Sequence, residues 1–258
     1  MKNVLITAGS RGIGFSIAKE FAKENFNLIL ISKNLNSLKR ARKELIRINS
    51  KIQCQIFTCD LTNINKAKKV FIKIKKKNSI DIIINNFGGS YKIKLNSILN
   101  TKNLINLIES NIICSYTAIE TFVDQMIKSK WGRVINISSA INQTFDTQIN
   151  YHLVKSAQVL MIKNLSTKIE YLKNNITFNS ISPGAILSET SIWNKLMKKN
   201  KIFYKKIIKK NFPMGLGKTS DVSNLVLFLC SNKGNYINGT NIVLDGGRSN
   251  FKNIGYNL

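Results

Sequence analysis

Seven short apolar runs rich in β-branched residues alternate along the chain with segments of helical periodicity, and this alternation restricts the fold more than any other feature. The runs are VLIT (4–7), NLILIS (27–32), KIQCQIFTC (51–59), IDIIIN (80–85), RVINIS (133–138), ITFNSIS (176–182) and NIVLD (241–245). Between them, Ile17, Phe21 and Ala22 share one face of the first helical segment, and Leu38, Ala41, Leu45 and Ile48 one face of the second. Strand–helix alternation of this kind implies a parallel sheet covered on both faces, with right-handed crossovers. The expected class is therefore α/β: a single doubly wound domain over residues 1–258, with a parallel seven-stranded sheet and helices on both faces. Ligands of such sheets lie outside the carboxyl ends of the strands, where the strand order reverses. The residues that follow each strand are where chemistry is to be sought.

No linker or break in composition divides the 258 residues, which suffice for one sizeable core. MKNVLITAGS leads straight into the first strand, so no signal peptide is expected, and no apolar run approaches the ~20 residues of a membrane span. Cys54, Cys59, Cys114 and Cys230 are scattered, with no C-x-x-C and one histidine, so reduced thiols, no structural metal and a cytoplasmic location are expected. A net charge of +27 invites a nucleic-acid reading. Against it, 34 Lys stand beside only 6 Arg, with 34 Asn and 40 Ile, the usage that A/T-rich codons produce. Arginine, the better reader of phosphates and bases, is scarce, and the lysines are spread along the chain rather than gathered in one arm.

The first strand is followed by TAGSRGIG (7–14) and a helix. A glycine-rich turn at a helix amino terminus lets backbone N–H groups approach a pyrophosphate, whose charge the helix dipole favours. The pattern is similar to T-G-x-x-x-G-x-G, with Ala8 at the first glycine and Gly9 expected to absorb the turn. Further on come Asp60-Leu61 after strand three and Asn85-Asn86-Phe87-Gly88 after strand four. Asn111 lies on a helix, Ser138-Ser139 end strand five, Tyr151 and Lys155 follow, and Pro183-Gly184 close strand six.

In this order and spacing the motifs closely resemble those of the short-chain dehydrogenase/reductase family over nearly the whole chain. MIKSKWGRVINISS and FLCSNKGNYINGTNIVLDGG look most like its 3-oxoacyl-[acyl-carrier-protein] reductase branch. Ala8, Phe87 and Ser188 depart from the family's usual residues. The resemblance implies a Rossmann-type domain and an NAD(P)-dependent oxidoreductase. It implies Asn111, Ser139, Tyr151 and Lys155 as the catalytic set, with Asn111 holding a water that links Lys155 to solvent. For the cofactor it implies Gly9, Ser10, Arg11, Gly12, Ile13 and Gly14 in the first turn, then Lys33, Asp60, Leu61, Asn86 and Gly88. Tyr151 and Lys155 would also bond the nicotinamide ribose, and Pro183, Gly184 and Ile186 complete the set.

The pairing of Tyr151 and Lys155 has a physical sense. Residues four apart on a helix project from the same face, and of seven tyrosines only Tyr151 has a lysine at the fourth position after it. An isolated phenol has a pKa near ~10; a nearby ammonium and an oxidised nicotinamide would lower it. Tyr151 would then donate a proton to a carbonyl or take one from an alcohol, and Ser139 would hold the substrate oxygen. Ser138 is the alternative serine; counting seven residues on from Gly132 favours Ser139. His152 sits one residue on, roughly 100° around the helix, and no other histidine exists from which to build a Ser–His–Asp hydrolase.

At the end of strand two, where an acid would bind the ribose of NAD, the sequence reads ISKN. Ser32 takes the acid's place, and Lys33 and Arg11 can flank a 2′-phosphate, so NADPH is preferred over NADH. Three functions are carried: reduction of a 3-oxoacyl thioester or similar ketone, the same chemistry on a sugar, polyol or other secondary alcohol, and a non-catalytic or nucleic-acid-binding protein on the same fold. DVSNLVLFLC and NIVLD imply, by the resemblance, a homo-oligomer, with a tetramer expected. A lid is expected at about 188–212, where Ile192, Trp193, Leu196, Ile202, Phe203, Ile207 and Ile208 would cover an apolar chain and eight lysines would face outward, either as a rim that steers an acidic acyl carrier protein or as a product of the same codon usage.

Overall fold

A computed structural model of the chain describes residues 1–89, 100–143 and 149–250. Its strands are β1 (Asn3–Thr7), β2 (Asn27–Ser32), β3 (Cys54–Thr58), β4 (Ile82–Asn85), β5 (Gly132–Ile137), β6 (Ile176–Pro183), β7 (Ile186–Leu187), β8 (Gly217–Lys218) and β9 (Asn241–Leu244). Seven of them form one sheet in the order β3-β2-β1-β4-β5-β6-β9, and every pairing is parallel. Chain order reverses between β1 and β4, which lie side by side at the centre. β7 and β8 make a separate two-stranded parallel pair, which the periodicity does not announce because each strand has only two residues.

The helices are α1 (Gly12–Lys23), α2 (Leu35–Ile48), α3 (Ile64–Lys75), α4 (Thr101–Leu107), α5 (Cys114–Ser129), α6 (Ile149–Ser166), α7 (Ile169–Lys173), α8 (Ile192–Lys199), α9 (Lys201–Asn211) and α10 (Thr219–Cys230). Side chains alternate across a strand, so β1 sends Val4 and Ile6 to one face and Leu5 to the other. Val4 and Ile6 join Ile17 and Phe21 of α1, Leu38 and Leu45 of α2, and Val222 and Val226 of α10. Leu5 joins Phe71 of α3, Phe122 and Met126 of α5, and Ile162 of α6. Both faces are thus covered, and a strand that is apolar on both sides is the outcome. Ile48, expected on the buried face of α2, sits in its last turn and is exposed.

Asparagine and serine start many of these helices: the side chains of Asn34, Asn63, Asn100, Ser191 and Asn200 each accept a hydrogen bond from a first-turn backbone N–H of α2, α3, α4, α8 and α9. α1 differs. Its cap, Arg11, makes no side-chain hydrogen bond to the first turn. In the turn before it, Gly9 does not absorb the left-handed bend: Ala8 itself takes φ 53°, and Gly12 takes φ 58°. Gly9 is instead required for packing, because a Cβ there would lie 2.9 Å from Cδ2 of Leu30.

Candidate active site

The carboxyl ends of β1 and β4 are joined side chain to backbone. Thr7 Oγ1 accepts from the backbone N–H groups of Asn86 (3.0 Å) and Phe87 (2.9 Å), and Asn86 Nδ2 donates to the carbonyls of Thr7 (3.1 Å) and Ala8 (3.3 Å). Asn86 thereby braces the glycine turn. Gly14 fits beneath this brace: a Cβ would stand 2.5 Å from both the Ala8 carbonyl oxygen and Asn86 Nδ2. Ser10, buried in the turn, donates to Ser32 Oγ at 2.9 Å and so ties the turn to the end of β2. An uncapped helix start and a turn that leaves no room for a side chain at Gly9 or Gly14 suit the pyrophosphate of a dinucleotide, although Glu44 and Glu189 line the same cleft.

The other cofactor candidates sit around this turn. Ile13 packs on the core, and Leu61 is buried. Lys33 Nζ donates to Asp60 Oδ2 at 2.6 Å, and this bond is the first reason that the Asp60 carboxyl is held below its usual range; Thr62 adds to it. Pro183 ends β6, Gly184 lies so near Asp245 that a Cβ would meet it at 2.6 Å, and Ile186 pairs with Gly217. A cleft of about 400 Å³ opens beside the turn between Arg11, Gly12, Arg40, Ser188 and Thr219. A larger cavity, about 810 Å³, lies at the opposite end of the sheet between Phe26, Trp131 and Phe228, away from the candidate reacting groups.

Beyond β5 the chain sorts the two serines. Ser138 is buried, with its N–H on the Ile181 carbonyl and its hydroxyl donating to the Lys155 carbonyl at 3.0 Å. Ser139, one residue on, accepts from the Ile141 N–H at 3.3 Å and is hydrogen-bonded to the Tyr151 side chain. The structure therefore brings Ser139, and not Ser138, to the tyrosine. α6 carries Tyr151 and Lys155 on one face, with Lys155 Nζ 5.7 Å from the centre of the Tyr151 ring.

Asn111 lies fully buried in a π-helical turn, Ile108–Ile113, between α4 and α5. Its side chain accepts from the Gly89 N–H (3.1 Å) and donates to the Leu107 carbonyl (3.0 Å). Gly88, at φ 150°, passes so close to Asn111 that a side chain there would strike its amide oxygen. The backbone carbonyl of Asn111 accepts from Ser115 Oγ (2.8 Å) and from Gln158 Nε2 (2.5 Å). Gln158 is the member of this cluster that the motifs pass over. The signal for it is an amide three residues after Lys155, on the same face of α6 and fully buried.

Burial sets the charges here. It pushes the Tyr151 phenol up to about 12, against a hydrogen bond to Ser139 that pulls the other way, and it brings the Lys155 amine down to about 7. The expected lowering of the phenol by its lysine is thus reversed in the protein alone. Burial withdraws the water that would stabilise a phenolate, and an amine that is only partly charged at neutral pH lends little field to oppose this.

The family model described as enoyl-(acyl carrier protein) reductase matches residues 7–249. The 3-oxoacyl-[acyl-carrier-protein] reductase FabG of Buchnera aphidicola subsp. Acyrthosiphon pisum is 34% identical over 254 residues, covering 95% of this chain and 96% of that protein. The NADPH-dependent reductase BacG of Bacillus subtilis is 25% identical over 254 residues, covering 95% and 97%. Among solved structures, that of ElxO with NADP bound superposes with a TM-score of 0.83 at 28% identity, covering 97% of this chain and 99% of the other.

Proposed function

The chain belongs to the short-chain dehydrogenase/reductase family, and from that premise we propose that it is an NADPH-dependent reductase of ketones, with a 3-oxoacyl thioester on an acyl carrier protein as its substrate. The observation that carries this reading is the meeting of Ser139, Tyr151 and Lys155 at the carboxyl ends of the strands, beside a glycine turn suited to a dinucleotide. A bound nicotinamide supplies the hydride. Tyr151, protonated at neutral pH, gives its proton to the substrate oxygen; Ser139 donates to that oxygen as charge builds on it; Lys155 orients the ribose and favours release of the phenolic proton. The reductive direction suits a phenol that burial keeps protonated. Incubating the protein with a panel of 3-oxoacyl thioesters, sugars and simple ketones, and following NADPH and NADH by absorbance, tests the reading. Turnover of sugars alone would replace the thioester, and no turnover of any member would remove the function.

NADPH preference is supported by Ser32 where an acid would bind NAD, by Lys33 next to Ser32 in the chain, and by Arg11 at the exposed start of α1. Lys33 is held by Asp60, which fixes its ammonium at the end of β2. The double variant Arg11→Ala, Lys33→Asp is expected to lose the preference by about a hundredfold, since each charge-assisted contact to a phosphate contributes about 1.5 kcal/mol or more. Equal kcat/KM with NADPH and NADH in the unmodified protein would contradict the assignment.

α8 and α9 form the helix pair after β7, and neither buries a residue. Trp193 packs edge-on against Phe212 at 5.0 Å, while Ile192, Ile202 and Phe203 stay exposed, an apolar face free to cover an acyl chain. Lys195, Lys198, Lys199, Lys201, Lys205, Lys206, Lys209 and Lys210 are all exposed around it and suit an acidic carrier. Replacing Lys198, Lys199, Lys205 and Lys206 with Gln should slow reduction of carrier-bound substrate and flatten its salt dependence, with a small uncharged ketone unaffected. Equal rates of variant and parent on the carrier substrate, at low and high salt alike, would eliminate the docking role.

The protein is read as a cytoplasmic homo-oligomer, with a tetramer expected. Among the described residues no helix is long and apolar enough to cross a membrane. α10 buries Val222, Val226 and Leu229 in the core yet leaves Phe228 exposed, and β9 is an edge strand whose four residues are only part-buried. Such an edge suits pairing with a second copy. Light scattering at micromolar concentration should give close to four times the 29.2 kDa of one chain; a mass near 29.2 kDa would rule the oligomer out.

A further inference from the structure

Lys155 Nζ, 2% exposed as a residue, has two acceptors: Gln158 Oε1 at 2.8 Å and the Ile137 carbonyl at 3.3 Å. Both are neutral, and among the described residues Lys155 makes no ion pair. The Gln158 amide is used at both ends. Its oxygen faces the ammonium, and its nitrogen donates to the Asn111 carbonyl at 2.5 Å. The opposite amide orientation would set NH₂ against the ammonium and oxygen against oxygen, so the neighbours select one orientation. The π-helical turn contributes by presenting the Asn111 carbonyl to donors outside its own turn, Ser115 Oγ and Gln158 Nε2.

We propose that Gln158 is a positioning residue that clamps Lys155 and favours its charged form, taking a hydrogen bond from Nζ while anchored to the backbone of Asn111. The inference rests on the reading that Lys155 serves Tyr151. The amide bonds Asn111, the residue to which the family resemblance gives a water, and it differs from water in kind. A water accepts one proton and releases another, whereas a primary amide accepts on oxygen, donates from nitrogen and hands nothing on. Gln158 therefore holds the lysine's charge and direction. The Tyr151 ring is the titratable neighbour, and burial is what works against the ammonium. The Gln158 oxygen opposes that burial, and any charge it preserves on Lys155 acts on the phenol.

The test reads the lysine directly. Side-chain ¹⁵N NMR of the whole, lysine-labelled protein, with the Lys155 signal identified by its loss in Lys155→Arg, gives the pH at which this amine titrates. Gln158→Met keeps the volume and removes the acceptor, and it should move the titration down by about one unit. Gln158→Glu brings an opposite charge to the same place and should move it up by about one unit or more. A filler of space would not shift the two variants in opposite directions. With ketone substrate, Gln158→Met should lose ~10-fold in kcat with KM within about twofold. Titration of both variants within about 0.3 unit of the parent overturns the clamp. If Gln158→Met does not fold, Gln158→Leu, which also removes the acceptor, decides in its place: a downward shift supports the clamp, and an unchanged or higher value overturns it. Should no ketone turn over while the titrations move as stated, the clamp stands and the proposed function fails.

Discussion

Tyr151→Phe is expected to lose at least ~10²-fold in turnover and to leave the affinity for NADPH almost unchanged, because only proton transfer needs the hydroxyl and general acid catalysis contributes ~10²-fold or more. The ring stays, so its packing beside Lys155 stays, and the bond lost inside the protein is the one to Ser139. Lys155→Ala should harm both quantities, since the lysine is assigned to the ribose as well as to the phenol. Its removal also strands the oxygen of Gln158 in a site closed to solvent. Steady-state rates with NADPH in excess, together with cofactor binding followed by fluorescence, separate the two effects. A Tyr151→Phe protein that keeps more than about a tenth of the parent rate would sink the mechanism, whichever ketone is the substrate.

Gly14→Ala is expected to damage both the fold and the cofactor site. The new Cβ would stand 2.5 Å from the Ala8 carbonyl oxygen and 2.5 Å from Asn86 Nδ2. The first of these is backbone in a turn where Ala8 already adopts a left-handed φ of 53°, so it cannot swing aside as a side-chain end would. The second is the amide that braces β4 against β1. Overpacking of this sort costs about 1–3 kcal/mol or more, or roughly 2–12 °C of Tm at the ~2–4 °C per kcal/mol of a chain this size. NADPH affinity should fall by more than ~10-fold as the turn is pushed out of shape. Thermal unfolding and a cofactor titration report the two losses. A Tm within about 1 °C of the parent with full affinity would show that the turn relaxes freely and is not the built cradle described above.

What the sequence determined is whatever depends on neighbours along the chain. Apolar runs of four to nine residues separated by helical periodicity specify a doubly wound sheet, since period two and period 3.6 are local properties of the backbone. The same locality puts Tyr151 and Lys155 on one face of α6 and leaves the start of α1 without a capping side chain, as Arg11 in TAGSRGIG shows. The tertiary structure decided what lies between segments. Ser138 and Ser139 are adjacent in sequence, and only the course of the chain out of β5 turns one to the Lys155 carbonyl and the other to the tyrosine. Lys33 and Asp60, 27 residues apart, become a pair because β2 and β3 end side by side. Gln158 meets Asn111 across 47 residues, through a π-helical turn that no periodicity marks. The direction of the Tyr151 shift was beyond the sequence for the same reason. A motif places an ammonium near a phenol, but how much water the rest of the chain excludes from both decides which form each takes, and burial is the sum of contacts from every element packed around them.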